Sequence, residues 1–257
     1  MTRTLAILYA GLLYGFIFLP VAVLVLFSFQ GTLFPIPPFN GPSLRWYAAV
    51  MSDQRLTAGL LNSIVVAVIT SAIATLLGFL SAWGFARFHL PASALLRGLI
   101  TLPLTVSYLI IGMGLLIFFN WIGIPKSLVA AGIGHVVINL PLCFAIIYSQ
   151  LGEHQANIER AASDLGASEA KVLLLVTAPM MWPALFASFF LSMTFSWDEF
   201  VISFLLTRFE TTLPVEIWNL LRAGLNPKTN AVGSLVFGVS ILLAILFELV
   251  AFRKRPQ

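Results

Sequence analysis

Residues 60–86 read LLNSIVVAVITSAIATLLGFLSAWGFA, a run without one Asp, Glu, Lys or Arg. A helix rises about 1.5 Å per residue, and about 20 apolar residues cross the hydrocarbon core of a bilayer. This run therefore reads as a transmembrane helix. Its apolar residues are continuous rather than alternating, which argues against a barrel strand. Five more segments have the same character: about 5–29, 98–121, 127–149, 179–207 and 231–252. The first is too long for a signal-peptide core and lacks an A-x-A-like cleavage site, so it is expected to be retained. The fold class that follows is all-α: a polytopic membrane protein with six transmembrane helices in one domain spanning residues 1–257.

Composition points the same way. Of 257 residues, 60% are hydrophobic and 9% charged, against about 45–50% apolar and about 25% charged in ordinary soluble domains. A mean hydropathy of +0.99 excludes disorder, which requires low hydrophobicity. The lone Cys143 excludes an internal disulfide and a multi-cysteine zinc site. The net charge is only +4 and the basic residues are scattered, a pattern of membrane orientation rather than of nucleic-acid binding.

Six crossings put both termini on one side. That side carries eight Lys and Arg, including Arg253, Lys254 and Arg255 at the edge of the last span, and the other side carries six. The bias places the termini in the cytoplasm. Residues 30–59 and 208–230 then lie outside and residues 150–178 inside, with tight loops at 87–97 and 122–126. Gly31 to Pro42 resists regular structure. Pro214 to Leu221 suits a short helix with Pro at its start.

The inner loop carries Ile158-Glu159-Arg160-Ala161-Ala162-Ser163-Asp164-Leu165-Gly166-Ala167-Ser168-Glu169. Ala and Leu favour a first short helix, Gly166 suits the residue after its C-cap, and Ser168 suits an N-cap of a second. Glu169 then falls in a first turn, where a carboxylate complements the helix dipole. The result is an elbow fit to dock in a groove on another protein; the alternative is a plain amphipathic linker.

These residues resemble the "EAA" loop of ABC importer permeases, E-A-A, three residues, G, nine residues, I-x-L-P. Ala161, Ala162, Gly166, Val176 and Pro179 fall in register. Arg160 stands where the pattern has Glu, with Glu159 one place early, and Ala178 stands where it has Leu. Elsewhere Leu44-Arg45-Trp46-Tyr47, Phe195-Ser196-Trp197-Asp198-Glu199-Phe200-Val201, Thr211-Thr212-Leu213-Pro214, Gly224-Leu225-Asn226-Pro227 and Asn230-Ala231 resemble the PotC-type family of spermidine/putrescine importer permeases. That resemblance implies the type I ABC importer permease fold in a bacterial inner membrane. It implies a polyamine importer subunit working by alternating access beside a second homologous permease, two copies of a cytoplasmic ATPase and a solute-binding protein. The chain itself would then be no enzyme and bind no cofactor or metal, with ATP and Mg held by the ATPase. It carries no G-x-x-x-x-G-K-[ST] loop. The loop at 150–178 becomes the coupling helix, with Glu159, Ala161, Ala162, Asp164, Gly166 and Glu169 as coupling residues.

Asp198 and Glu199 are adjacent acids inside an apolar run, each costing about 2.5–3.5 kcal/mol at mid-helix on insertion scales. Such residues face a water-filled cavity or a partner charge. A polyamine calls for carboxylates, aromatic faces and an apolar wall. Trp46, Tyr47, Tyr108, Ser196 and Trp197 therefore join Asp198 and Glu199 as candidates for the substrate path. Competing readings are an interfacial belt for Trp46 and Tyr47, core packing for Tyr108, and an ion pair with a neighbouring Arg for the acids. His135 and Asn139 share a face of the fourth span as a hydrogen-bonded pair or, more sharply, a proton relay. Gly11 and Gly15 permit close helix approach. Two rival functions remain: the same importer class for γ-aminobutyrate or aminophosphonates, and a proton-coupled secondary transporter titrating at Asp198 or Glu199. An integral-membrane enzyme is disfavoured, because His89, His135 and His154 lie on separate segments.

Overall fold

In the computed structural model, residues 3–224 and 226–252 are described; Arg253, Lys254 and Arg255, used above for orientation, lie outside them, as does Leu225. In chain order the helices are α1 (Arg3–Ser28), α2 (Arg45–Met51), α3 (Gln54–Arg87), α4 (Ser93–Thr101), α5 (Tyr108–Trp121), α6 (Leu128–Tyr148) and α7 (Glu153–Asp164). They continue as α8 (Glu169–Val172), α9 (Ala178–Met180), α10 (Trp182–Trp197), α11 (Val201–Leu206), α12 (Leu213–Ala223) and α13 (Pro227–Phe252). A 3-10 turn covers Leu102–Leu104 and a π turn Leu173–Thr177.

Among the described residues four helices, α1, α3, α6 and α13, are long and apolar enough to cross a membrane singly, and the number reaches six if each of two bent pairs is one span. The bends differ from the continuous helices expected over 98–121 and 179–207. Ser93–Leu104 meets Tyr108–Trp121 at 104°, because Pro103 has no N–H to donate and Ser107 is extended (φ −59°, ψ 136°). Glu169–Met180 meets Trp182–Trp197 at 72°. There Pro183 cannot bond back to residue 179, and Met181 leaves the helical region (φ −85°, ψ 2°).

The chain forms two compact units. One comprises the residues up to Gly59 with Val215–Leu242. In it Gln30 fastens the Pro-rich loop: its Nε2 donates to the carbonyls of Ile36 and Pro38, and its Oε1 accepts from Asn40 N–H. Lys228 pairs with Asp53 at 2.6 Å, which holds the Asp53 carboxyl below its usual value of 3.8. On α1, by contrast, Leu12 and Phe16 are 76% and 77% exposed, as an apolar helix in lipid is free to be.

The other unit comprises Leu60–Pro214 and the chain from Leu243 onward. Within it α6 is the axis, packed by α4, α5, α10 and α11. Phe79, Phe144, Ile147 and Met181 form one apolar cluster. Phe119, Ala130, Ile138, Ile202 and Leu206 form a second.

Candidate functional site

The fifth apolar segment is not helical where its two acids stand. Helix α10 ends at Trp197, Asp198 takes φ −95° and ψ 0°, and α11 starts at Val201. The acids therefore sit in a break of three residues rather than at mid-helix, which changes their energetics. A break exposes N–H groups that a helix interior would use up. Glu199, only 7% exposed, takes one of them: its Oε1 accepts from Ile202 N–H at 2.8 Å. Asp198 is exposed. Among the described residues no Lys or Arg pairs with either acid.

A buried polar group straddles this break. The His135 ring on α6 bonds Ser196 Oγ through Nδ1 at 2.7 Å and Ser203 Oγ through Nε2 at 3.0 Å. Ser196 lies in α10 and Ser203 in α11, so one imidazole joins the two halves. Thr70 of α3 adds a hydroxyl contact to Ser196 at 3.0 Å. All four side chains are buried. On the apolar side α11 lies close against α6: a Cβ on Gly134 would fall 2.5 Å from Ile202 Cγ2 and 3.0 Å from Leu206 Cδ1. Only a residue without Cβ admits α11 there.

The expected His135–Asn139 pair does not form. His135 spends both nitrogens on serines, and the Asn139 amide nitrogen is buried without a partner among the described residues. The pair failed because residues four apart on one face compete for the same facing helix, and α10 and α11 supply better-placed hydroxyls. Ser196 is likewise committed to packing rather than open. Trp197 is buried, and its indole N–H has no partner among the described residues. Tyr108 packs against the cluster containing Ile202 and Leu206. Trp46 belongs to the other unit, where its indole donates to Gln30 O at 2.7 Å and Arg45 lies 5.0 Å over its ring. Its neighbour Tyr47 meets Ser28 through its hydroxyl at 2.7 Å.

The loop over 150–178 forms the expected elbow. Gly166 has φ +88°. Ala167 N–H bonds Ala162 O at 3.1 Å and Gly166 N–H bonds Ser163 O at 2.9 Å, the paired bonds of a Schellman ending. Ser168 precedes α8 in extended conformation, but its side chain makes no capping bond. Glu169 opens α8 and is exposed, as are Arg160, Ala161 and Asp164, while Ala162 is half-buried. Leu165 projects at the tip, 90% exposed.

Glu159, named with these residues for coupling, turns inward where Asp164 and Glu169 are exposed. Its carboxylate is held by Arg87 Nε and, at 3.3 Å, by Arg87 Nη2; Thr177 Oγ1 donates to its Oε1 at 2.9 Å. Arg87 ends α3 and Thr177 ends the π turn, so one buried carboxylate braces the elbow to two other elements. Beside the brace opens a cleft of about 450 Å³ lined by Trp83, Arg87, His89, Glu159, Arg160 and Glu169.

Neither Arg87 nor Ser203 was singled out from sequence. Arg87 is 72 residues from its partner, and nothing local announces it. Ser196 and Ser203 did carry a signal: they are seven apart, the spacing of one helical face, in an otherwise apolar run. No group of three or more His, Cys, Asp or Glu suited to a metal occurs among the described residues.

Comparison with known proteins adds to this geometry. Residues 74–256 match the family described as binding-protein-dependent transport system inner membrane component. The spermidine/putrescine transport system permease protein PotC of Escherichia coli K12 is 28% identical over 244 residues, spanning 94% of this chain and 92% of that protein. The putrescine transport system permease protein PotI of the same organism is 34% identical over 257 residues, spanning 96% and 91%. Among solved structures, a bacterial ABC transporter involved in the import of the acidic polysaccharide alginate aligns with TM-score 0.67 at 18% identity, over 100% of this chain and 99% of that one. The alginate transporter in complex with an alginate pentasaccharide-bound periplasmic protein aligns with TM-score 0.71 at 14% identity, over 97% and 94%. These structural matches establish the fold.

Proposed function

The chain belongs to the family of inner membrane components of binding-protein-dependent transport systems, and from that premise we propose that it is one permease subunit of an ATP-driven importer of polyamines. It is a transport subunit, with ATP hydrolysis on a separate polypeptide. In the proposed assembly it stands beside a second homologous permease. A solute-binding protein delivers cargo outside, and two ATPase copies holding ATP and Mg work inside, where both termini lie.

The observation that carries the substrate is the acid pair at the helix break. Asp198 is exposed and Glu199 buried, and no Lys or Arg among the described residues neutralises them. An ammonium group on the cargo supplies the missing charge. The likeness to permeases named for putrescine and spermidine supports the same reading. Because Glu199 is satisfied by a backbone N–H, Asp198 is the residue that meets the cation. Trp197 and Tyr108 then contribute wall, and Ser196 and Trp46 position the path and the outer loop from behind.

The elbow is the coupling element in this reading. Leu165, Arg160, Asp164 and Glu169 present the docking surface, Ala161, Ala162 and Gly166 shape it, and Glu159 holds it to α3. Closing of the ATPase pair is thereby passed to the membrane helices as a rigid-body movement.

Reconstitution of the complete complex in proteoliposomes, with putrescine, spermidine, γ-aminobutyrate and an aminophosphonate offered separately, tests the proposal. Saturable, ATP-dependent uptake of putrescine or spermidine is expected. ATP-dependent uptake confined to the other two compounds overturns the substrate, and uptake driven by a proton gradient without ATP overturns the importer class for this chain.

A further inference from the structure

We infer that His135 is a positioning residue for transport: its imidazole straps α10 to α11 across the break and so fixes where Asp198 and Glu199 stand. The inference rests on the proposal that these acids meet the cargo.

Three observations carry it. The two serines that His135 bonds lie on opposite sides of the break, two residues before Asp198 and four after Glu199. Between them the helix is interrupted, since α10 stops at Trp197 and α11 resumes at Val201. The strap also has a backing on each side: Thr70 on Ser196, and the Gly134 contact that seats Ile202 and Leu206. The ring is buried with both nitrogens engaged, so it is not presented to cargo.

An imidazole suits this role. It is rigid, and its two nitrogens bond in divergent directions about one plane. As a neutral ring it donates from one nitrogen and accepts at the other, while a serine hydroxyl can do either, so both arms are satisfied in either tautomer. Gln reaches with a single amide and keeps one arm well; Leu keeps the volume and neither arm.

The test uses the full complex in proteoliposomes and reads putrescine uptake and ATP hydrolysis together. His135→Leu is expected to lower putrescine taken up per ATP hydrolysed by about tenfold, and His135→Gln by less, in keeping with two hydrogen bonds worth about threefold each. ATP hydrolysis stimulated by the loaded binding protein stays near the wild-type rate, which a failure of assembly would not allow. His135→Leu combined with Asp198→Asn should be no worse than Asp198→Asn alone, because the strap acts through the acid. If the two losses multiply, or if His135→Leu transports like wild type while Asp198→Asn is defective, the strap is overturned and the acid path stands. If Asp198→Asn and Glu199→Gln both transport like wild type, the acid path falls and the strap with it. Should His135→Leu yield no complex, Ser203→Ala removes one arm alone, and wild-type uptake per ATP in that variant overturns the inference.

Discussion

Glu159 and Glu199 are both buried carboxylates, 6% and 7% exposed, yet they are satisfied by different means. Glu159 has a guanidinium and a hydroxyl from two other elements. Glu199 has the N–H of Ile202, three residues along its own chain. The first arrangement closes a circuit: charge cancels charge, and the carboxylate has nothing left to offer. The second leaves a negative charge with its hydrogen-bonding partly met and its charge uncancelled. A brace needs the first kind of site, and a path for cations needs the second.

The comparison can be broken at several places. Glu159→Ala is expected to have the largest effect, because it strands Arg87 half-buried; losing one partner of a buried ion pair costs about 3–5 kcal/mol. A fall in the thermal midpoint of the purified complex reads it. The double replacement Arg87→Met with Glu159→Leu should recover much of that stability, separating the cost of a stranded charge from the worth of the brace.

Next comes Gly134→Leu, which drives a side chain into Ile202 and Leu206. Overpacking of this kind costs about 1–3 kcal/mol, and cysteine labelling at position 198 should report an altered break. Gly166→Leu puts a side chain on a residue at φ +88°, worth about 1–2 kcal/mol of backbone strain. Its signature is ATP hydrolysis that continues without uptake.

Glu199→Ala removes the acceptor for Ile202 N–H, about 1 kcal/mol for a lost helix-start contact, while Glu199→Gln keeps an oxygen there and spares stability. Both remove the charge, so uptake should fall in both and the thermal midpoint in only the first. Smallest of all is Asp53→Asn at the half-buried Lys228 pair near the surface, worth about 0.2–1 kcal/mol. Because the Asp53 carboxyl is held below 3.8, its contribution is complete above that pH and is lost as the pH falls through the lowered value. An acid titration of thermal stability should therefore merge variant and wild type only at the acid end.

Much of this was legible in the sequence, and the limit is physical. Apolar run length reports a requirement of the bilayer, so the membrane segments could be read directly. The elbow was legible because Gly166 and the residues around it act within one turn of chain. The bends near Pro103 and Pro183 had visible signals, but an apolar run long enough to span masks them. Asp198 and Glu199 were read as a costly pair at mid-helix, whereas unwinding the chain gives Glu199 an amide and removes part of the cost. The inward turn of Glu159 was not legible for a different reason: its partner is 72 residues away, and only the packed structure can tell an outward acid from an inward one.

The contrast along α1 has a consequence for how the protein is made. Through most of its length α1 shows apolar side chains outward, and it is secured near its C-terminal end, where Ser28 meets Tyr47 and Leu24 reaches Gly233. Most of α1 thus asks little of the segments synthesised after it. It can be handed to the lipid by the insertion machinery and wait there, met early by Tyr47 at Ser28 and only at the start of α13 by Gly233 at Leu24. A chain truncated before α13 would leave α1 held at Ser28 alone, a ready substrate for membrane proteases.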